Sequence, residues 1–310
     1  MMSSELVRGS SSIRICSLVP SGTEIVCALG IADQLVGVSH RCDYPPEVVG
    51  KPIVSNLLVK KPPTANGVGG ETTRHSIYEL DAALVQTLMP DLILTQEICE
   101  ACAVPASLAE ELARELIREP QLFSVTATTL DEILANIERL GTVVGRKDEA
   151  QRLVRSLRDR IDRVAATVIG ATHRPRVAFF EWPDPPWLSG NWIPDLITLA
   201  GGVDPFGHAG QRTRKVEWSE IVAQEPEIVC LAPCGLSIEQ TLSELPKHLK
   251  RSEWSALPAF LNGRAYVLDG SLWSRHGPRI VDGLEVLAQV IHPELFSCPP
   301  PPKLVRSIAR

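Results

Sequence analysis

Lys147-Asp-Glu-Ala-Gln-Arg-Leu-Val-Arg-Ser-Leu-Arg-Asp-Arg-Ile-Asp-Arg-Val-Ala-Ala-Thr-Val-Ile169 separates two halves of the chain that read alike, and its own pattern decides the fold. Ala150, Leu153, Val154, Leu157, Ile161, Val164, Ala165 and Val168 recur at the i, i+3, i+4, i+7 spacing of one helix face, and the opposite face is charged. The spacing predicts a single helix over 147–169, which at about 1.5 Å per residue is about 35 Å long, the length of a small domain. Gly145 precedes it and Gly170 follows it. On either side lies an α/β pattern of similar size, so the expected architecture is two lobes joined by one rigid strut.

The 310-residue length allows two cores. With 44% hydrophobic and 22% charged residues the composition is that of a globular protein. A net charge of −6 leaves no basic patch for nucleic-acid phosphates. The arginines at 152, 155, 158, 160 and 163 are interleaved with Asp148, Glu149, Asp159 and Asp162, which makes a solvated helix face. No secretory leader opens the sequence and no stretch of 18 apolar residues occurs, so the reading is a soluble, cytoplasmic protein without membrane insertion, or a periplasmic or extracytoplasmic one if an export signal has been removed. Eight cysteines are too dilute for a disulfide scaffold, and Cys16, Cys27 and Cys230 read as small core residues.

Residues 1–12 read as a disordered N-terminus, 13–146 as the first α/β lobe, 170–296 as the second, and 297–310 as a proline-rich tail. Strand 13–19 runs into Pro20-Ser-Gly-Thr-Glu24, where Ser21 and Glu24 have the spacing of a helix capping box; Thr129 and Glu132 have it too. Residues 55–75 carry loop chemistry and read as a surface insertion. Strand, loop and helix alternate as in a parallel sheet. One segment recurs: Leu88-Met-Pro-Asp-Leu-Ile-Leu94 aligns with Gln224-Glu-Pro-Glu-Ile-Val-Cys230, each a helix end, Pro, acid and buried strand. That match, placed symmetrically about the strut, implies pseudo-duplication.

Ligands of open α/β sheets bind beyond the carboxyl ends of the strands, and there the unusual residues gather. The first lobe offers Ser21, Thr23, His40, Arg41, Cys42, Tyr44, Gln96 and the Cys99-Glu-Ala-Cys102 pair; the second offers Glu181, Trp182, Trp187, Trp192, Cys234, Trp273, Arg275, His276 and Arg279. Facing lobes would line one cleft with these loops. Arg41, Arg275 and Arg279 suit amides, phosphates or carboxylates through two-pronged contacts. No nucleophile elbow, phosphate-binding glycine loop or HExxH zinc helix is present, so the chain does not read as an enzyme.

The Ser17-Leu-Val-Pro-Ser-Gly-Thr-Glu24 opening, Pro90-Asp-Leu-Ile-Leu94, Thr129-Leu-Asp-Glu-Ile133 before a long helix, and Leu199-Ala-Gly-Gly202 resemble the helical-backbone substrate-binding proteins of cobalamin and siderophore importers, most of all the cobalamin-binding branch, over residues 13–296. The resemblance implies two Rossmann-like lobes with parallel-rich sheets, small hinge motion, and a monomer that holds its ligand between the lobes. It implies a corrinoid such as cobalamin as ligand and an importer permease as partner, with Glu100 and Glu239 as docking acids on opposite lobes. Aromatic residues are only 5% of the chain, yet Trp182, Trp187, Trp192 and Trp273 fall in the cleft loops, where indole faces would cover a flat ring. Cys42, Cys99, Cys102 and Cys234, with His40 and His276, leave a soft-metal site open, against cysteines that are partly buried or a Cys99–Cys102 disulfide. The alternatives are therefore a cysteine-based metal or haem binder and a corrinoid- or thiol-dependent enzyme on the same scaffold.

Overall fold

In a computed structural model that describes residues 12–58, 78–98 and 103–308, the first lobe comprises β1 (Ile15–Ser17), α1 (Pro20–Ala28), β2 (Leu35–Val38), β3 (Ser55–Leu57), β4 (Tyr78–Leu80), α2 (Ala82–Leu88), β5 (Leu92–Thr95), α3 (Ala106–Glu115), β6 (Gln121–Ser124) and α4 (Leu130–Val143). The strut is α5 (Lys147–Val168). The second lobe follows with β7 (Val177–Pro183), β8 (Pro186–Leu188), α6 (Ile193–Leu199), β9 (Arg214–Lys215), α7 (Trp218–Ala223), β10 (Ile228–Leu231), α8 (Ile238–His248), α9 (Ser252–Ala256), α10 (Pro258–Leu261), β11 (Ala265–Leu268), α11 (Gly270–Ser274), α12 (Ile280–Ile291) and β12 (Val305–Ser307).

Strands β2-β1-β5-β6 form a parallel sheet in that order. In the second lobe the order is β12-β11-β10-β7-β8-β9, with β7, β10 and β11 parallel and the outer strands antiparallel. The two-lobed α/β class with a helical bridge is the one the sequence predicted.

The recurring segment builds the same local network twice. Arg14 donates its backbone N–H to Asp91 (2.9 Å) and its Nε–H to the Leu88 carbonyl (2.9 Å). Arg176 does the same with Glu227 (2.9 Å) and the Gln224 carbonyl (2.9 Å). In each lobe the residue before the proline, Met89 or Glu225, has positive φ and turns the helix end into the buried strand.

The strut buries Ala150, Val154, Leu157, Ile161, Val164 and Val168. Its five larger side chains contribute about 2 kcal/mol each by leaving water, on the order of 10 kcal/mol together. They join one continuous apolar core that includes Ile15 and Leu94 of the first sheet, Leu134 and Ile137 of α4, Leu284 and Leu287 of α12, and Phe179 of the second sheet. Helix α4 approaches the strut closely because residue 141 is glycine: a Cβ there would stand 2.3 Å from that of Ala150. On the other side Arg160 of the strut donates to Glu285 (2.8 and 2.7 Å) and to Asp282, both on α12.

Several expectations need correction. Residues 297–308 are not a free tail, since Val305–Ser307 pairs with β11 and closes one edge of the second sheet. The expected 55–75 insertion begins as a strand, Ser55–Leu57, paired with Tyr78–Leu80; residues 59–77 lie outside the described residues, as do residues 1–11. Thr129 and Glu132 do form a reciprocal capping box. Ser21 and Glu24 do not: Pro20, with no N–H to satisfy and a helical φ, takes the first helical position, and the Glu24 carboxylate is engaged across the lobes.

Candidate functional site

The carboxyl ends of the parallel strands deliver α1, residues 39–44 and Gln96 from the first lobe, and residues 232–236 and 269–279 from the second. The second-lobe loops pack tightly against one another. A Cβ at Gly270 would lie 2.1 Å from the Pro233 carbonyl oxygen, so glycine is what lets the β11 loop rest on the β10 loop. Asp269 then caps α11, accepting from the backbone N–H (2.9 Å) and hydroxyl (2.6 Å) of Ser271.

The two sets of loops meet in a cluster of charges. Glu24 on α1 has a side chain only 2% exposed. It accepts from Arg279 Nε (3.0 Å) and Nη2 (2.7 Å), and from Arg275 Nη1 (3.1 Å). Arg275 Nη1 also donates to Asp43 (2.6 Å), and the Arg279 guanidinium lies 3.9 Å from the centre of the Tyr44 ring, a cation–π stack. Burial works against the charge of Asp43, but the hydrogen bond and positive charge of Arg275 outweigh it and hold the carboxyl below its ordinary value. The same carboxylates outweigh burial at Arg275 and raise its pKa further.

Beside this cluster, His40 shares a hydrogen bond between Nδ1 and the Ser55 hydroxyl (2.9 Å), and its Nε2 is buried without a partner among the described residues. Burial, with help from the Arg41 charge, lowers its pKa and keeps it neutral. Arg41 is half-buried with its Nε unpartnered among the described residues; a Cβ on Gly235 of the opposite lobe would stand 3.8 Å from its Nη1. His276 is buried against Trp192, with ring centres 5.3 Å apart, and both ring nitrogens lack partners among the described residues. Burial alone drives its pKa down to about 4.

The aromatic expectation divides. Trp182 and Trp187 are half-buried and directly paired across the β7–β8 hairpin, so both indoles project from one face of it. Trp192 and Trp273, in contrast, are 4% and 2% exposed members of the core. Trp192 donates Nε1–H to the Trp273 carbonyl (2.9 Å), and Trp273 packs on Phe179. Helix formation turns these two indoles inward, so neither offers a ring face to a ligand.

Ser21, Thr23 and Gln96 are also closed off from solvent. Thr23 donates to the Cys42 thiol (3.0 Å), and Gln96 accepts from the Ile98 N–H (2.6 Å). Glu181 accepts from the Gly190 N–H (3.1 Å) and the Thr213 hydroxyl (2.8 Å), tying down the loop that follows β8. Of the expected residues, the structure therefore brings Tyr44, Arg275 and Arg279 together, joined by Glu24 and Asp43, and sets Arg41 apart from these pairings, facing Gly235 of the other lobe. Glu24 was legible as a capping acid and, with Asp43, as a carboxylate of the cleft loops; the signal for its partners was the Arg275/Arg279 pair, four residues apart with no acid between them.

Among the described residues no group of three or more His, Cys, Asp or Glu stands close enough to hold an ion. Burial raises the pKa of the Cys42 thiol, which its Ser39 and Thr23 neighbours only partly offset. Cys99, Glu100 and Cys102 lie outside the described residues. Glu239 is exposed in the first turn of α8.

Two α/β lobes are clamped about one helix, and their strand-end loops meet between them. The chain belongs to the periplasmic binding protein family, whose profile matches residues 15–272; members of this family are substrate-binding proteins and not enzymes. It is 26% identical over 279 residues to a vitamin B12-binding protein of Vibrio cholerae, covering 88% of this chain and 86% of that one. It is equally 26% identical to an uncharacterized ABC transporter substrate-binding lipoprotein of Bacillus subtilis, covering 91% and 81%. Among solved structures, a periplasmic heme binding protein from Pseudomonas aeruginosa shares the fold with a TM-score of 0.71 at 22% identity over 95% of this chain and 97% of that one. The cytoplasmic expectation finds no support in these relatives, which are periplasmic proteins and a lipoprotein. Among the described residues no helix is long and apolar enough to cross a membrane.

Proposed function

We propose that the protein is the corrinoid-binding component of an importer, holding cobalamin or a related corrinoid at the junction of its lobes and presenting it to a membrane permease. The observation that carries this reading is the match to the Vibrio cholerae vitamin B12-binding protein over 88% of this chain and 86% of that one. The half-buried Trp182–Trp187 pair and the exposed edge of Tyr44 supply aromatic faces for a flat macrocycle, and Arg41 and Arg275 retain N–H groups for its amide or phosphate periphery. Two depressions of about 200 and 250 Å³ flank the strut, lined by Arg160, Val164 and Phe296 or by Ala135, Arg139 and Gln151. Both fall below the ~300 Å³ of ordinary small-molecule pockets.

The test is titration with cyanocobalamin followed by calorimetry and the visible spectrum. Saturable one-to-one binding is expected. Failure with both cyanocobalamin and cobinamide overturns the reading, and saturable binding of hemin in their place would assign the cleft to a haem.

A further inference from the structure

We infer that Glu24 is a positioning residue: it sets the spacing of the two lobes at the cleft and holds the 275–279 loop in place, without itself touching ligand. Nearly all of its side chain is enclosed, and every carboxylate contact recorded for it goes to the other lobe, to residues 251 and 255 positions away in the chain. A carboxylate that deeply buried is tolerated only when its charge is matched, and here two guanidiniums match it with three hydrogen bonds.

The cluster is placed to control spacing. Arg275 and Arg279 bracket the turn between α11 and α12, and α12 is bonded through Asp282 and Glu285 to Arg160 of the strut. Residue 277 packs on α1 itself: a Cβ there would meet Glu24 Oε2 and the Ser21 carbonyl oxygen at 3.5 Å. Glu24 thus ties α1 of the first lobe to the turn that leads into α12 of the second. Arg275 has a second hydrogen-bonded carboxylate in Asp43, whose side chain is 70% exposed, whereas among the described residues Arg279 hydrogen-bonds to Glu24 alone, stacks on the Tyr44 ring and feels Asp43 only through its charge. Losing the Glu24 charge therefore strands Arg279 at 18% exposure, and the favourable response is for the lobes to part and let water reach it.

The consequence is read in two ways, one of which requires no ligand. In ligand-free Glu24→Gln, which keeps the shape of the side chain, amide hydrogen exchange should rise at least tenfold in residues 39–44 and 275–283 while β1 and β10 keep wild-type protection. Resting on the corrinoid reading, cyanocobalamin dissociation should also quicken about tenfold with association little changed. Arg279→Gln should reproduce both effects, and the double variant should fall well short of the sum of the two single ones, because each single change already breaks the Glu24–Arg279 pair. If Glu24→Gln does not fold, Arg279→Gln carries both measurements. Unchanged exchange in the two loops, a uniform rise across the chain, or additive effects in the double variant would overturn the inference. Absence of cobalamin binding by the wild type would overturn the functional reading while leaving the exchange result to decide this one.

Discussion

Replacing His276 with Phe should flatten the acid limb of the stability curve. The imidazole is buried against Trp192 with no hydrogen-bond partner among the described residues, and burial takes its pKa from an ordinary 6.5 to about 4. The folded-state value is the lower of the two, so between those pH values the unfolded chain binds the proton more readily, and folding stability falls as pH falls. The gap corresponds to roughly 3 kcal/mol at about 1.36 kcal/mol per unit, fully present at neutral pH and lost by about pH 4. His276→Phe keeps an aromatic ring beside Trp192 and carries no proton. Urea melts followed by far-ultraviolet circular dichroism at pH 7, 6, 5 and 4 would give unfolding free energies for both proteins. Between pH 7 and 4 the wild type should lose roughly 3 kcal/mol more than the variant. Parallel curves would refute the reasoning, because they would mean that the imidazole reaches water or a partner in solution.

Other substitutions separate binding from folding. Trp187→Ala should weaken cyanocobalamin binding about tenfold while moving the urea midpoint little, measured by calorimetry and melts; unaltered affinity would remove the hairpin indoles from the site. Thr129→Ala removes the side-chain acceptor of the α4 capping box and should cost about 1 kcal/mol in a urea melt, with ligand affinity unchanged. Gly141→Ala would force a methyl group onto Ala150, so a loss of about 1–3 kcal/mol is expected despite the better helix propensity of alanine.

Features set by neighbours in sequence were legible in advance. The strut periodicity, the Thr129–Glu132 cap and the helix-Pro-acid-strand repeat all involve residues a few positions apart, and the structure has each of them. The Ser21–Glu24 spacing carries the same signature as the Thr129–Glu132 cap and led to the wrong structure. What decides it lies 251 and 255 positions away, in arginines whose nearest acids are supplied by the other lobe. Trp192 and Trp273 misled for a related reason. An indole near a strand end serves equally as a ligand face or as core, and only the packing of α6 and α11 on the second sheet chooses core. The tail was misread because proline and lysine between 299 and 303 signal loop, while the three residues that pair with β11 give too short a pattern to stand out.

The unbroken core through the strut has a consequence for affinity. A receptor that swings widely spends part of its binding energy on selecting a closed form, and its apparent affinity falls by the fraction of molecules already closed. Here α4, α5 and α12 share one packed interior with both sheets, so the arrangement of the lobes is inherited from folding rather than chosen at each encounter. Such an interior predicts that little of the binding energy goes into selecting a closed form, and it leaves discrimination among ligands to side chains at the loop tips.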